Sequence, residues 1–131
     1  MDTNNGSVPE LLFPELSYQI TGALFRTHNA LGPYAREKQY GDLLATELGA
    51  VHLNYIRECR IGDSGNIVDF VVEGKILVEL KAKRILQRED YEQVQRYLQE
   101  STLRLGLLVN FRNKYIKPIR IVHIDNLRKQ Y

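Results

Sequence analysis

The sequence predicts an α/β domain: a mixed β-sheet flanked by helices, with elements in the order ααβββαββ. Three observations carry this. Two segments near the N-terminus repeat apolar residues three and four apart, the period of a half-buried helix. Short runs rich in Val, Ile and Leu follow, punctuated by Gly and Asn as strands and their turns are. A helix-period segment then separates the run at 76–82 from a second apolar run at 105–111, and a strand–helix–strand step of that kind implies a parallel, right-handed crossover.

The elements can be justified in order. Residues 1–14 begin polar and contain Pro9 and Pro14, which reads as a flexible N-terminal tail with Leu11 to Phe13 docking on the single domain, 15–131. Leu16, Ile20, Ala23, Leu24 and Leu31 define a first helix, about Glu15 to Leu31, stopped by Gly32-Pro33. Tyr40, Leu43, Leu44 and Leu48 define a second, about Tyr34 to Leu48, ended by Gly49. A strand over Val51 to Ile61 leads into a Gly62-Asp63-Ser64-Gly65-Asn66 turn. Val68 to Val72 and Ile76 to Ala82 form a hairpin around Gly74. Arg88 to Thr102 is a third helix with Tyr91, Val94, Leu98 and Tyr97 on its inner side. Leu105 to Phe111 is an interior strand, and Ile119 to Ile124 a last one.

Composition excludes several classes. With 131 residues, 44% hydrophobic and 26% charged, the chain suits one soluble domain with one modest core. A net charge of +2 is too small to identify a nucleic-acid binder by itself. The single cysteine, Cys59, cannot make an internal disulfide and fits a reducing compartment. No apolar run approaches the roughly 18–20 residues of a membrane span, and the N-terminus lacks the basic start and apolar centre of a signal peptide. No membrane partner is expected, and the cytoplasm is the expected location. His28, His52 and His123 have no metal-ligand spacing, and His28 reads as a hydrogen-bonded structural residue on an apolar helix. No phosphate-cradling glycine loop and no aromatic platform for stacking bases is evident.

Against this background the charges in the hairpin stand out. Asp69 interrupts the first apolar run, and Glu79 and Lys81 interrupt the second. Buried carboxylates are costly unless paired or bound to a cation. Alternation puts Leu77, Glu79 and Lys81 on one face of their strand, and Ile76, Val78 and Leu80 on the other, in the core. A three-residue loop, Glu73-Gly74-Lys75, would set Asp69 directly opposite Glu79; a two-residue loop would put them on opposite faces. Two carboxylates on one face suit a hard divalent cation such as Mg²⁺ (or Mn²⁺) that keeps waters and meets a substrate phosphate. A neighbouring lysine supplies a compact positive charge for the attacking water or the phosphate. Such a set points to phosphodiester hydrolysis. The plain alternative is a sheet-surface ion pair between Glu79 and Lys81, with Asp69 ending a strand. Lys83, Arg84 and Arg88 continue from the site strand and could contact phosphates, or form a solvated loop.

The stretches RTHNALGP, EKQYGDLLATEL, DFVVEGKILVELKA and RYLQESTLRLGLLVNF together resemble the GxxExxY family of small bacterial and archaeal proteins, within the PD-(D/E)xK nuclease superfamily. The resemblance spans about Leu16 to Ile121. It implies a restriction-endonuclease-like fold and a Mg²⁺-dependent nuclease acting on nucleic acid, DNA foremost; the sequence leaves the oligomeric state open, a homodimer included. It implies that Asp69, Glu79 and Lys81 occupy the metal-binding and catalytic positions. Glu37 and Tyr40 match the helix motif that names the family, and Gln93 matches a glutamine that lies beside the site in relatives. On the residues alone, Glu37 is a first-turn glutamate favoured by the helix dipole, and Gln93 a solvated mid-helix residue. The resemblance makes Glu37 a third metal-binding carboxylate and Gln93 a catalytic neighbour. The motif's leading glycine is replaced by Tyr34, which bears on the site entrance rather than on the carboxylates. The rival reading is a non-catalytic nucleic-acid-binding or protein-interaction module on the same fold.

Overall fold

In the computed structural model, which describes residues 11–124, two helices lead into a five-stranded sheet whose last two strands are separated from the first three by a third helix. The elements are α1 (Pro14–Leu31), α2 (Glu37–Ala50), β1 (Tyr55–Arg60), β2 (Ile67–Val72), β3 (Ile76–Lys81), α3 (Arg88–Ser101), β4 (Leu105–Asn110) and β5 (Ile119–Val122). The strands lie side by side in chain order. All neighbours are antiparallel except β3 and β4, which are parallel, as the intervening helix predicts.

Both faces of the sheet are covered. Phe70, Val72, Ile76, Val78, Leu80, Leu107 and Val109 pack against Ile20 and Leu24 of α1 and Leu44 and Leu48 of α2. Val71, Leu77 and Leu108 pack on the other side against Val94, Tyr97 and Leu98 of α3. Ile76, Val78 and Leu80 therefore face the core as strand alternation predicts. Leu77, on the opposite face with Glu79 and Lys81, is buried in this second core. The α3 face of β3 is thus apolar at one end and charged at the other.

Gly106 fixes how closely α3 can lie. A Cβ there would stand 2.8 Å from Val94 Cγ1 and 3.1 Å from Leu77 Cδ1. Gly106→Ala should therefore overpack the α3–sheet layer at a cost of about 1–3 kcal/mol. In a thermal melt this is a fall in Tm of roughly 5–10 °C; an unchanged Tm would show that α3 can lift away freely.

Several boundaries differ from the sequence reading. Of the predicted tail, residues 1–10 lie outside the described residues, while Leu12 and Phe13 pack against the first core. Arg120 ties this segment down, donating to Leu12 O (2.6 Å) and Ser17 Oγ (2.7 Å). Helix α1 begins one residue early, because Pro14 suits a first helical position whose N–H has no partner. Helix α2 starts at Glu37 rather than Tyr34. The Arg36 N–H donates to Gln39 Oε1 (2.9 Å), which closes the helix start there. Tyr40 explains why the preceding loop is fixed: its hydroxyl donates to Gly32 O and accepts from the Ala35 N–H, and its ring stacks on Phe111 with centroids 4.1 Å apart. Strand β1 starts at Tyr55, not Val51, because residues 51–54 turn through His52 at φ 62°. Helix α2 runs through Gly49 to Ala50 instead of ending at Leu48, and β2 begins one residue early at Ile67; β3, α3, β4 and β5 end a residue or two sooner than predicted, at Lys81, Ser101, Asn110 and Val122.

Candidate active site

The loop between β2 and β3 is Glu73-Gly74-Lys75, with Glu73 and Gly74 at φ 54° and 64°. Its three residues pair Val72 with Ile76, Val71 with Leu77 and Phe70 with Val78, so Asp69 and Glu79 are next in register, directly opposite each other. There the backbone ladder stops, and the two side chains take over its hydrogen bonds. The Asp69 N–H donates to Glu79 Oε1 (3.0 Å), and the Leu80 N–H donates to Asp69 Oδ2 (2.7 Å). The strands are held as a fork with a carboxyl group from each prong inside it.

The electrostatics follow from that geometry. Glu79 is only 6% exposed. Burial, and then the charge of Asp69, push its carboxyl up to about 8. Asp69 is also raised, chiefly by burial. Two carboxylates so placed resist being charged together unless a cation joins them. Lys81 is close enough to favour their charged forms but does not offset the burial. Its Nζ donates to Gln93 Oε1 (2.9 Å) on α3 and lies 3.7 Å from Asp90 Oδ1. Gln93 and Lys81 are thus brought into direct contact.

Glu37 stands at the start of α2, exposed. With Asp69, Arg57, Glu58, Phe70 and Leu80 it lines a cleft of about 300 Å³. It shares this cleft without closing a cage: among the described residues, no three His, Cys, Asp or Glu side chains gather as a metal-binding group. Of the opposed pair, Asp69 lines this cleft, whereas Glu79 is buried behind it and neither Glu79 nor Lys81 is among the residues lining it.

The loops around the site are fixed from behind. The side chain of Asn110 bonds both backbone groups of Lys83, donating to its O (2.7 Å) and accepting from its N–H (3.1 Å), which extends the β3–β4 pairing past Lys81. Lys83 Nζ pairs with both Asp90 oxygens (2.9 and 3.2 Å). Burial works to raise the Asp90 carboxyl, but the Gln87 N–H and Lys83 outweigh it and hold it low. Lys83 is thus anchored to protein, whereas Arg84 and Arg88 are exposed. His28 Nε2 lies 2.8 Å from Asn113 O, the structural role expected of it.

Tyr97, read from the sequence as inward on α3, is buried, and its hydroxyl is pushed up by burial and then by the charge of Glu79. Tyr91, read as inward too, is instead exposed. Two residues at the site, Arg57 and Glu58, were not singled out from the sequence. Arg57 lines the cleft, paired with Asp42 Oδ1 (2.6 Å) and 5.7 Å from the Phe70 ring centroid. Gly41 makes room for it, since a Cβ there would lie 2.5 Å from Arg57 Nη2. Glu58 sits across β1 from Asp69 in a left-handed conformation, φ 52°. Nothing local in the sequence signals such a conformation for a glutamate.

Among the described residues no helix is long and apolar enough to cross a membrane. No curated protein is significantly similar to the chain. Among solved structures, one titled "Crystal structure of SSO0001" is similar over 84% of this chain and 68% of that one, at 20% identity and a TM-score of 0.49. A family model described as PD-(D/E)XK nuclease superfamily matches residues 14–122, from the first residue of α1 to the last of β5 and so across the whole carboxylate fork. The five-stranded mixed sheet is that family's restriction-endonuclease-like fold, and the chain belongs to the PD-(D/E)XK nuclease superfamily.

Proposed function

We propose that the protein is a metal-dependent nuclease that hydrolyses phosphodiester bonds of nucleic acid, DNA foremost, and that within its superfamily it is a GxxExxY protein. The observation that carries this reading is the fork: Asp69 and Glu79 opposed at the point where β2 and β3 part, with Lys81 one alternation further along β3. Asp69 and Glu79 hold Mg²⁺ or Mn²⁺, with Glu37 lining a cleft beside Asp69 from α2. The ion, when bound, stabilises charge at phosphorus and acidifies a coordinated water.

The chain's own groups do the rest. The N–H groups of Asp69 and Leu80 each occupy one carboxylate oxygen and so fix the direction of the others. Lys81 sets a positive charge where the attacking water or the phosphate lies, and Gln93 keeps its ammonium aimed by accepting one of its protons. Tyr97, Leu77 and Val94 close the α3 side against bulk water. Arg84 and Arg88 meet phosphates further along the strand, while Lys83 supports the loop through Asp90.

The test is a panel of single-stranded, duplex and branched DNA and RNA incubated with Mg²⁺ or Mn²⁺. Cleavage is expected, and EDTA should stop it. An intact panel in a buffer where a known nuclease cuts would reject the enzyme reading. Binding without cutting would mark the non-catalytic nucleic-acid-binding or interaction module instead.

A further inference from the structure

Two tyrosines stand out of the surface beside the site. Tyr34 is 82% exposed and Tyr115 79%. Each has a cation against its ring: the Arg112 guanidinium lies 5.8 Å from the Tyr34 centroid and Lys114 Nζ 5.5 Å from that of Tyr115. Their loops are joined, because His28 bonds Asn113 O, and Lys114 and Tyr115 line one hollow with Gly32 and Pro33, just before Tyr34. The assembly is rooted at the catalytic strand. Phe111 N–H donates to Lys81 O (2.8 Å), and Arg112 Nη2 donates to Ala82 O (3.3 Å). Arg112 Nε is buried and has no hydrogen-bond acceptor among the described residues.

We propose that Tyr34 and Tyr115 form a stacking platform for unpaired nucleotides, so that the nucleic acid this protein prefers is single-stranded or carries a single-stranded extension. The inference deepens the nuclease reading and rests on it. A tyrosine backed by arginine on one face leaves the other face free for a base, and the guanidinium strengthens the stack. Bases within a duplex already cover each other's faces; only unpaired or terminal ones can lie flat on a side chain. The exposed Arg36, Lys114 and Lys117 favour a polyanion over an apolar partner, while Lys38 is paired with Asp42 and Glu37 is an exposed acid beside them. Tyr34 stands where the family motif has glycine, so the platform belongs to this chain and not to the motif.

The test measures binding, in EDTA and again with Ca²⁺, to a labelled DNA strand of about 12 nucleotides, to the RNA strand of the same sequence, and to a blunt DNA hairpin. Tyr34→Ala should weaken binding to the single strands about tenfold and leave the hairpin within about twofold. Tyr34→Phe, which keeps the ring, should bind as the unaltered protein does. A 2-aminopurine placed in the strand should be quenched by the unaltered protein and by Tyr34→Phe, but not by Tyr34→Ala. The strand showing the larger Tyr34-dependent loss, DNA or RNA, is the substrate class. Equal losses on single strand and hairpin, no loss even in the Tyr34→Ala/Tyr115→Ala double variant, or no binding of single strands at all would each overturn the platform. Tyr34-dependent binding with no cleavage in Mg²⁺ or Mn²⁺ would leave the platform standing and reject the nuclease reading.

Discussion

Glu79→Ala should abolish metal-dependent cleavage, whereas Lys81→Ala should bind metal normally and cut about 10²–10³-fold more slowly. The contrast follows from position. Glu79 is one of the two opposed carboxylates and also accepts the Asp69 N–H, so truncation removes a ligand and loosens the fork. Lys81 is held by Gln93 on α3 and touches neither carboxylate's backbone partner, so its loss leaves the fork intact. Glu79→Gln keeps an oxygen for the Asp69 N–H and should match the alanine variant in activity while preserving the fold. Glu37→Ala probes the cleft wall, and a wild-type rate would reduce Glu37 to a helix-start glutamate. Calorimetric Mn²⁺ titration alongside single-turnover cleavage separates the roles. Cutting by Glu79→Ala, or full activity in Lys81→Ala, would remove these residues from the reaction.

The second large effect is on stability. Without metal, the melting temperature should fall as pH rises from about 5 to 8. The folded protein keeps the Glu79 proton to about pH 8, whereas the unfolded chain releases it near the ordinary glutamate value of 4.5. Between those values the folded state binds more protons, so its stability declines with rising pH and levels off above the window. Asp69, also raised, acts in the same sense. Asp90, held low, acts oppositely, but only at acid pH. The loss is on the order of a few kcal/mol, a fall in Tm of roughly 10 °C. Glu79→Gln should flatten the curve and melt above the unaltered protein at pH 8. Adding Mn²⁺ should raise the Tm of the unaltered protein only. A flat curve, or a less stable glutamine variant at pH 8, would mean that the two acids are not in conflict.

Most of the scaffold was legible because it follows from short-range rules. Apolar spacing gave all three helices, and the run LGLLVNF could only be a strand covered on both faces. The opposition of Asp69 and Glu79 was a matter of parity, settled once Gly74 made the loop three residues long. What escaped depends on contacts distant in sequence. Whether 34–36 continue the helix is decided by the Tyr40 hydroxyl gripping Gly32 and Ala35. Lys83 reads as a phosphate-binding lysine until Asp90, one helical turn into α3, captures it. Tyr91 and Tyr97 both read as inward on α3, yet Tyr97 is buried and Tyr91 is exposed. That distinction is made by how α3 docks on the sheet, not by the helix's own residues.

Glu58 has a further consequence. Among the described residues strand β1 pairs with β2 alone, which leaves its outer row of backbone groups without a strand partner there, and Tyr55 and Ile56 beside it are exposed. An open apolar edge invites a strand from another molecule, the first step toward aggregation. The left-handed turn of Glu58 breaks that row without changing the register, since Arg57 still pairs with Phe70 and Cys59 with Val68. An incoming strand could follow the edge only from Tyr55 to Arg57 before its hydrogen bonds lost their partners. The distortion that brings a carboxylate to the cleft thus also keeps the sheet from growing, and relaxing it would lengthen the edge on which a strand from another copy could be templated.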